Sequence, residues 1–113
     1  MSIRISLLLL VGLLVASCTA VPTPKITLSR KEVADRGHIT MNGTGFTPKA
    51  SIISHLKRPD DTEFPGLRFL TDDKGEFTHV IDTYLFQAGI HEVWVMDSTG
   101  VSSNVARFEV RRP

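Results

Sequence analysis

Gly89-Ile90-His91-Glu92-Val93-Trp94-Val95-Met96-Asp97 decides how the chain is read. A glycine opens the run, β-branched and aromatic residues fill it, and Asp97-Ser98-Thr99-Gly100 closes it as a turn. A strand presents alternate side chains to opposite faces, so Val93 and Val95 share one face and Ile90, Glu92, Trp94 and Met96 the other. Outward from this run the pattern repeats: from Lys25 onward, short runs are separated by Gly, Pro, Asn and Asp. No stretch of ten or more residues keeps helical periodicity, and several strands spaced by turn signals predict an all-β sandwich or barrel.

The remaining strands follow in order. Lys25 to Ser29 carries Ile26 and Leu28 in one phase, and a charged turn is expected from Arg30 to Gly37. His38 to Asn42 places Ile39 and Met41 alike, and Ala50 to Lys57 is a third strand, broken by Arg58-Pro59-Asp60-Asp61. Leu67 to Thr71 is short enough for an edge. Asp72-Asp73-Lys74-Gly75 reads as a hairpin loop, with Gly75 where positive φ is wanted. Glu76 to Asp82 puts Phe77 and Ile81 on one face, Tyr84 to Ala88 reads as a crossing segment, and Val105 to Val110 ends the series. About seven strands result, the number used by an immunoglobulin-like antiparallel sandwich.

Specific pieces carry a resemblance between Pro24 and Val110. They are Gly43-Thr44-Gly45-Phe46-Thr47-Pro48, Asp72-Asp73-Lys74-Gly75-Glu76-Phe77, Gly89 with Val93, Val95 and Asp97, and Ser103-Asn104 before Phe108. In order and spacing this segment resembles the immunoglobulin-like modules of bacterial surface and secreted proteins, which implies the fold and says little about function. The chain departs from those modules two residues after Gly89. They usually carry a tyrosine there that anchors a corner by hydrogen bonding to backbone. Here the position is His91, whose imidazole is shorter and titrates nearer neutrality.

The amino terminus is a different kind of sequence. Met1-Ser2-Ile3-Arg4 carries one positive charge, and Ile5 to Ala16 is an apolar run of Leu, Val and Ile with a single Gly12. This length fits a secretory signal helix and falls short of the roughly 20 apolar residues needed to span a membrane. Val15-Ala16-Ser17-Cys18 resembles the lipobox of bacterial lipoproteins. The resemblance implies cleavage between Ser17 and Cys18 and diacylglyceryl attachment to the Cys18 sulfur. Each buried methylene contributes about 0.8 kcal/mol, and stable retention requires more than one chain. Two or three chains on one residue meet that requirement. Thr19 follows the cysteine instead of Asp, so an exported, membrane-anchored protein is expected, at the outer membrane if the host has two. Thr19-Ala20-Val21-Pro22-Thr23-Pro24 is then a tether, its prolines favouring extended backbone that spans roughly 20 Å.

Three segments are therefore expected: signal peptide 1–17, lipidated cysteine and tether 18–24, and sandwich 25–113. Charge narrows the partners. The chain has 13 Lys and Arg against 12 Asp and Glu, and Arg4 falls in the signal segment, so the remainder is balanced. Such a domain lacks the basic footprint of a nucleic-acid binder and has no general attraction to anionic headgroups. Cys18 is the only cysteine, so no internal disulfide can form and the domain must stand on packing alone.

Candidate chemistry is sparse. Gly43-Thr44-Gly45 is followed by no helix, so it is a strand-end turn and no phosphate cradle. Asp72, Asp73 and Glu76, even with Asp60, Asp61 and Glu63, suit hairpin chemistry better than a calcium loop. His38, His55, His79 and His91 fall on four different strands without ligand spacing and read as surface or satisfied histidines. No serine lies in a Gly-x-Ser-x-Gly elbow. No metal, no cofactor and no catalysis are expected. The remaining feature is the outward face of the opening run, where Ile90, Trp94 and Met96 would form a contact patch, Trp and Met being enriched at interfaces. That holds if Val93 and Val95 face inward. The reverse phase, with Trp94 as the core tryptophan, is preferred. The expected function is a lipid-anchored, non-catalytic binding, scaffold or accessory module that engages another envelope protein. The alternatives are a carbohydrate- or peptidoglycan-binding module stacking on Trp94, Tyr84 and Phe86, and an envelope inhibitor or exclusion factor.

Overall fold

A computed structural model describes residues 23–112. Alternation of apolar and polar residues resolves into eight strands among them. They are β1 (Lys25–Leu28), β2 (Glu32–Ala34), β3 (His38–Thr44), β4 (Ser51–Lys57), β5 (Leu67–Leu70), β6 (Phe77–Asp82), β7 (Gly89–Asp97) and β8 (Ala106–Arg111). They form two sheets, one ordered β1-β3-β6 and the other β2-β8-β7-β4-β5. The inward residues of both meet in one core. Ile26, Ile39, Met41, Phe77 and Ile81 come from the first sheet, and Val33, Ile52, Val93, Val95, Phe108 and Val110 from the second. Each fully buried aliphatic side chain contributes about 1.5–3 kcal/mol, which is how a disulfide-free domain holds together. The architecture is an immunoglobulin-like β-sandwich.

Three expectations change. The charged turn from Arg30 to Gly37 contains β2, which makes eight strands instead of seven. β2 pairs in parallel with β8, with Val33 opposite Val110, so the sandwich is not wholly antiparallel. Only Val33 of its three residues is apolar and buried, too little to show as alternation. The segment from Asp72 to Gly75 is not a hairpin loop either, because β5 and β6 belong to different sheets. It is fastened sideways onto the β3–β4 connection: the Thr71 hydroxyl donates to Thr47 O at 2.6 Å, and Phe46 N–H donates to Gly75 O at 3.2 Å. Gly75 has φ of 76°, as expected, and a Cβ there would lie 2.0 Å from Phe46 O. The third change, the phase of Trp94, belongs to the contact surface.

The two ends of the sandwich carry different loops. Gly45 lies against Thr23, so the chain enters the domain at the end built from connections 45–50, 71–76 and 98–105. Connections 29–31, 35–37, 58–66 and 83–88 lie at the opposite end. The lipobox, Ser17 and Cys18, and tether residues 18–22 lie outside the described residues.

Candidate contact surface and the buried histidine

On β7 the inward positions are His91, Val93 and Val95, all essentially inaccessible, while Ile90, Glu92, Trp94 and Met96 face outward. Trp94 is half-buried on the outer surface, so the core-tryptophan reading is wrong. The aromatic that β7 and β8 do place in the core is Phe108, opposite His91.

The cross-strand register explains what Trp94 touches. It lies opposite His55 of β4, and the two rings stack with centroids 5.4 Å apart and planes 12° from parallel. Met96 stands opposite Ile53. Beside them is a shallow depression of about 330 Å³ lined by Ile53, His55, Arg68 and Met96 together with Ser51 and Ser98. Next along the sheet runs a charged row. Glu92 pairs with Arg107 at 2.9 Å and with Lys57 at 3.5 Å, and Lys57 also reaches Asp61 at 3.3 Å. Water screens these partly exposed pairs, so they set orientation more than stability. Lys57 is held above the ordinary lysine range, chiefly by its hydrogen bond to Asp61. The charged row separates Ile90, which lies opposite Glu109, from Trp94 and Met96. The structure therefore gathers Trp94 and Met96 with Ile53 and His55, and places Ile90 elsewhere on the same face.

The aromatics named for glycan stacking are not brought together. Tyr84 is exposed on the β6–β7 connection under Arg36, whose guanidinium lies 5.3 Å from the ring centroid. Phe86 packs against two rings, Phe64 at 4.8 Å and His91 at 5.2 Å.

The acidic residues make turn chemistry. Asp72 accepts the N–H groups of Glu76 and Lys74 at 2.8 and 2.9 Å, which holds its carboxyl below the ordinary range. Asp60 is drawn down to about 2 by the Thr62 hydroxyl, then by Gln87, whose side chain donates to it at 3.0 Å across two connections. Among the described residues, no three His, Cys, Asp or Glu side chains gather in a way that could hold a metal ion.

The histidines do fall on four strands, but one of them is not a surface or satisfied residue. His91 is fully buried. Its Nδ1 lies 3.3 Å from Gly89 O, and its Nε2 has no hydrogen-bond partner. The Gly89 carbonyl is two residues away on the same strand, so no tyrosine-like corner forms. The signal in the sequence is the histidine itself, standing where the related modules carry tyrosine. Burial depresses the basicity of the imidazole, as it does for His79 on β6.

No protein-family model matches the sequence, and no curated protein is similar enough to count as a relative. Among solved structures, macromomycin aligns over 79% of this chain and 100% of its own, at 12% identity and a TM-score of 0.62. The CARDB domain of the PF1109 protein from Pyrococcus furiosus, determined in complex with di-metal ions, aligns over 79% of this chain and 86% of its own, at 10% identity and a TM-score of 0.50. At such identities the likeness is one of fold.

Proposed function

We propose that this protein is a lipid-anchored, non-catalytic module of the cell envelope that binds another envelope protein through the outer face of its five-stranded sheet. The observation that carries the reading is the cluster on that face: Trp94 stacked on His55, with Met96 and Ile53 beside them and an ion-paired row at the margin. Half-buried aromatic and thioether side chains with a polar border have the make-up of an interface centre. Anchoring rests on Val15-Ala16-Ser17-Cys18, from which a short tether leads into the domain at one end. The contact face runs along the side of the sandwich, with Met96 and Ser98 towards the end at which the chain enters and Trp94 and His55 further from it. Envelope inhibition or exclusion would be a special case of the same binding. The glycan-binding alternative is disfavoured, because Phe86 is engaged by Phe64 and His91 and does not join Trp94 in one platform.

A photo-crosslinking amino acid placed at Met96 tests the proposal in living cells, with the same probe at Thr78, exposed on the other sheet, as comparison. A discrete adduct with one envelope protein is expected from Met96 and not from Thr78. Equal labelling from both positions, or none from Met96, overturns it.

A further inference from the structure

Four rings and one guanidinium form a column at the end of the sandwich opposite the tether. Arg58 lies 3.8 Å from the centroid of Phe64, on the β4–β5 connection. Phe64 packs on Phe86 of the β6–β7 connection at 4.8 Å, Phe86 stacks on His91 at 5.2 Å, and His91 stacks on Phe108 at 5.2 Å with planes 7° apart. Two surface connections are thus keyed into the core through one titratable ring. The same loops are tied again at the surface, by Gln87 to Asp60 and by Arg112, which donates to Phe86 O at 2.8 Å.

We propose that His91 is an acid-sensitive latch: neutral, it holds the β6–β7 connection closed through Phe86, and protonated, it releases that connection. The neutral ring suits its site. With the proton on Nδ1 it makes the one hydrogen bond available, to Gly89 O, and Nε2 is left as a bare lone pair. A second proton would place a cation and an unmet donor in the core. Attraction of a cation to ring faces offsets part of that cost, but desolvation of an unpaired charge is the larger effect.

The surrounding charges give no compensation. Arg58 at the head of the column repels a further positive charge, and Arg112 lies at Phe86 O, on the far side of the Phe86 contact. Asp35, Asp60, Glu63 and Asp82 lie on connections and strand ends at this end of the sandwich, Asp35 with a buried Oδ1 that has no partner of its own, and none bonds to the ring. Glu92, Arg107, Glu109 and Arg111 lie on β7 and β8, and His38 on β3 is exposed. No carboxylate is hydrogen-bonded to either ring nitrogen in place of the water that a charged imidazole needs. Phe108 is fixed in the core, so the ring reaches water by displacement of Phe86. Phe86 is followed by Gln87 and Ala88 and preceded by Leu85, which is 74% exposed at a φ of 64°, a conformation few side chains favour.

The sign follows from the direction of the shift. A histidine that is less basic when closed than when open takes up its proton on opening. The latch is therefore fully closed above the ordinary value of 6.5 and loosens as pH falls below it. Hydrogen exchange in the full chain, purified in detergent, tests this at the amides of Phe86 and Gln87. Corrected for chemical exchange, their opening should increase about tenfold from pH 7 to pH 5. His91→Phe should abolish the increase, His79→Gln should keep it, and Phe86→Ala should open the loop at both pH values and let His91 titrate near 6.5 by NMR. The proposal is overturned if wild type shows no increase, if His91→Phe retains it or His79→Gln removes it, or if Phe86→Ala leaves the His91 titration unchanged.

Discussion

The carboxylate of Asp97, at the end of β7, accepts the backbone N–H of Thr47 at 3.0 Å as well as the Thr47 hydroxyl, although the residues are 50 positions apart. Its other oxygen accepts the N–H and hydroxyl of Thr99 at 2.6 and 2.8 Å. One buried carboxylate thus closes the β7 turn and ties it to the segment after β3, at the end where the chain enters.

These bonds, those from Thr47 first, hold the Asp97 carboxyl well below its ordinary value of 3.8. A carboxyl depressed on folding contributes stability above its ordinary value and loses it as pH falls below that value. Asp97→Asn should lower stability at pH 7 by about 2 kcal/mol, the scale of hydrogen bonds to a charged group. It should also flatten the loss of stability between pH 5 and pH 3. Urea unfolding at these three pH values measures both.

Gly43 of β3 has no room for a side chain. A Cβ there would lie 1.9 Å from Cε1 of Phe77, a ring packed against both Phe46 and Phe69. Gly43→Ala should therefore cost about 1–3 kcal/mol by overpacking. In the same thermal unfolding series, Gly100→Ala is the comparison: its Cβ would meet nothing within 4 Å, so the clash is absent and only the positive φ is penalised.

Trp94 and Phe108 separate surface from core. Phe108→Ala removes a fully buried ring and should cost about 3–5 kcal/mol. Trp94→Ala, truncating a half-buried ring stacked on His55, should cost less than half of that. Chemical denaturation gives the ratio. In native wild type, the Trp94 fluorescence should be quenched by acrylamide far more readily than a core tryptophan would be.

Cys18→Ser should abolish incorporation of labelled palmitate and release the protein from membranes on fractionation. Equal labelling of wild type and variant would remove the anchor, and with it the envelope reading.

Most of the strands were legible from the sequence, because burying one face of a sheet imposes a period of two. Ile39 and Met41, Phe77 and Ile81, and Val93 and Val95 show it and are buried as their spacing demands. Turn chemistry was legible for a similar reason: at Gly75 the backbone needs a φ that other residues resist. β2 was not, since a three-residue strand with one apolar side chain depends on a partner 77 positions away.

Alternation shows that two faces differ but not which one is covered. Val93 and Val95 could be assigned to a common face from sequence, whereas Trp94 could be placed outside only once the three-stranded sheet closed over Val93 and Val95. Nor does local pattern say where consecutive strands go. Asp72 to Gly75 has the make-up of a hairpin loop, yet Thr71 and Gly75 fasten it to the β3–β4 connection and send β6 into the other sheet. His91 is the extreme case: its alternation marks a face, and only the assembled sandwich surrounds the ring with Phe86 and Phe108. Strand class and the need for glycine at position 75 are written in neighbouring residues and could be read from the chain alone. Sheet membership, the parallel pairing of β2, the outward place of Trp94 and the burial of His91 were decided by tertiary structure, because each depends on residues that meet only when the two sheets close.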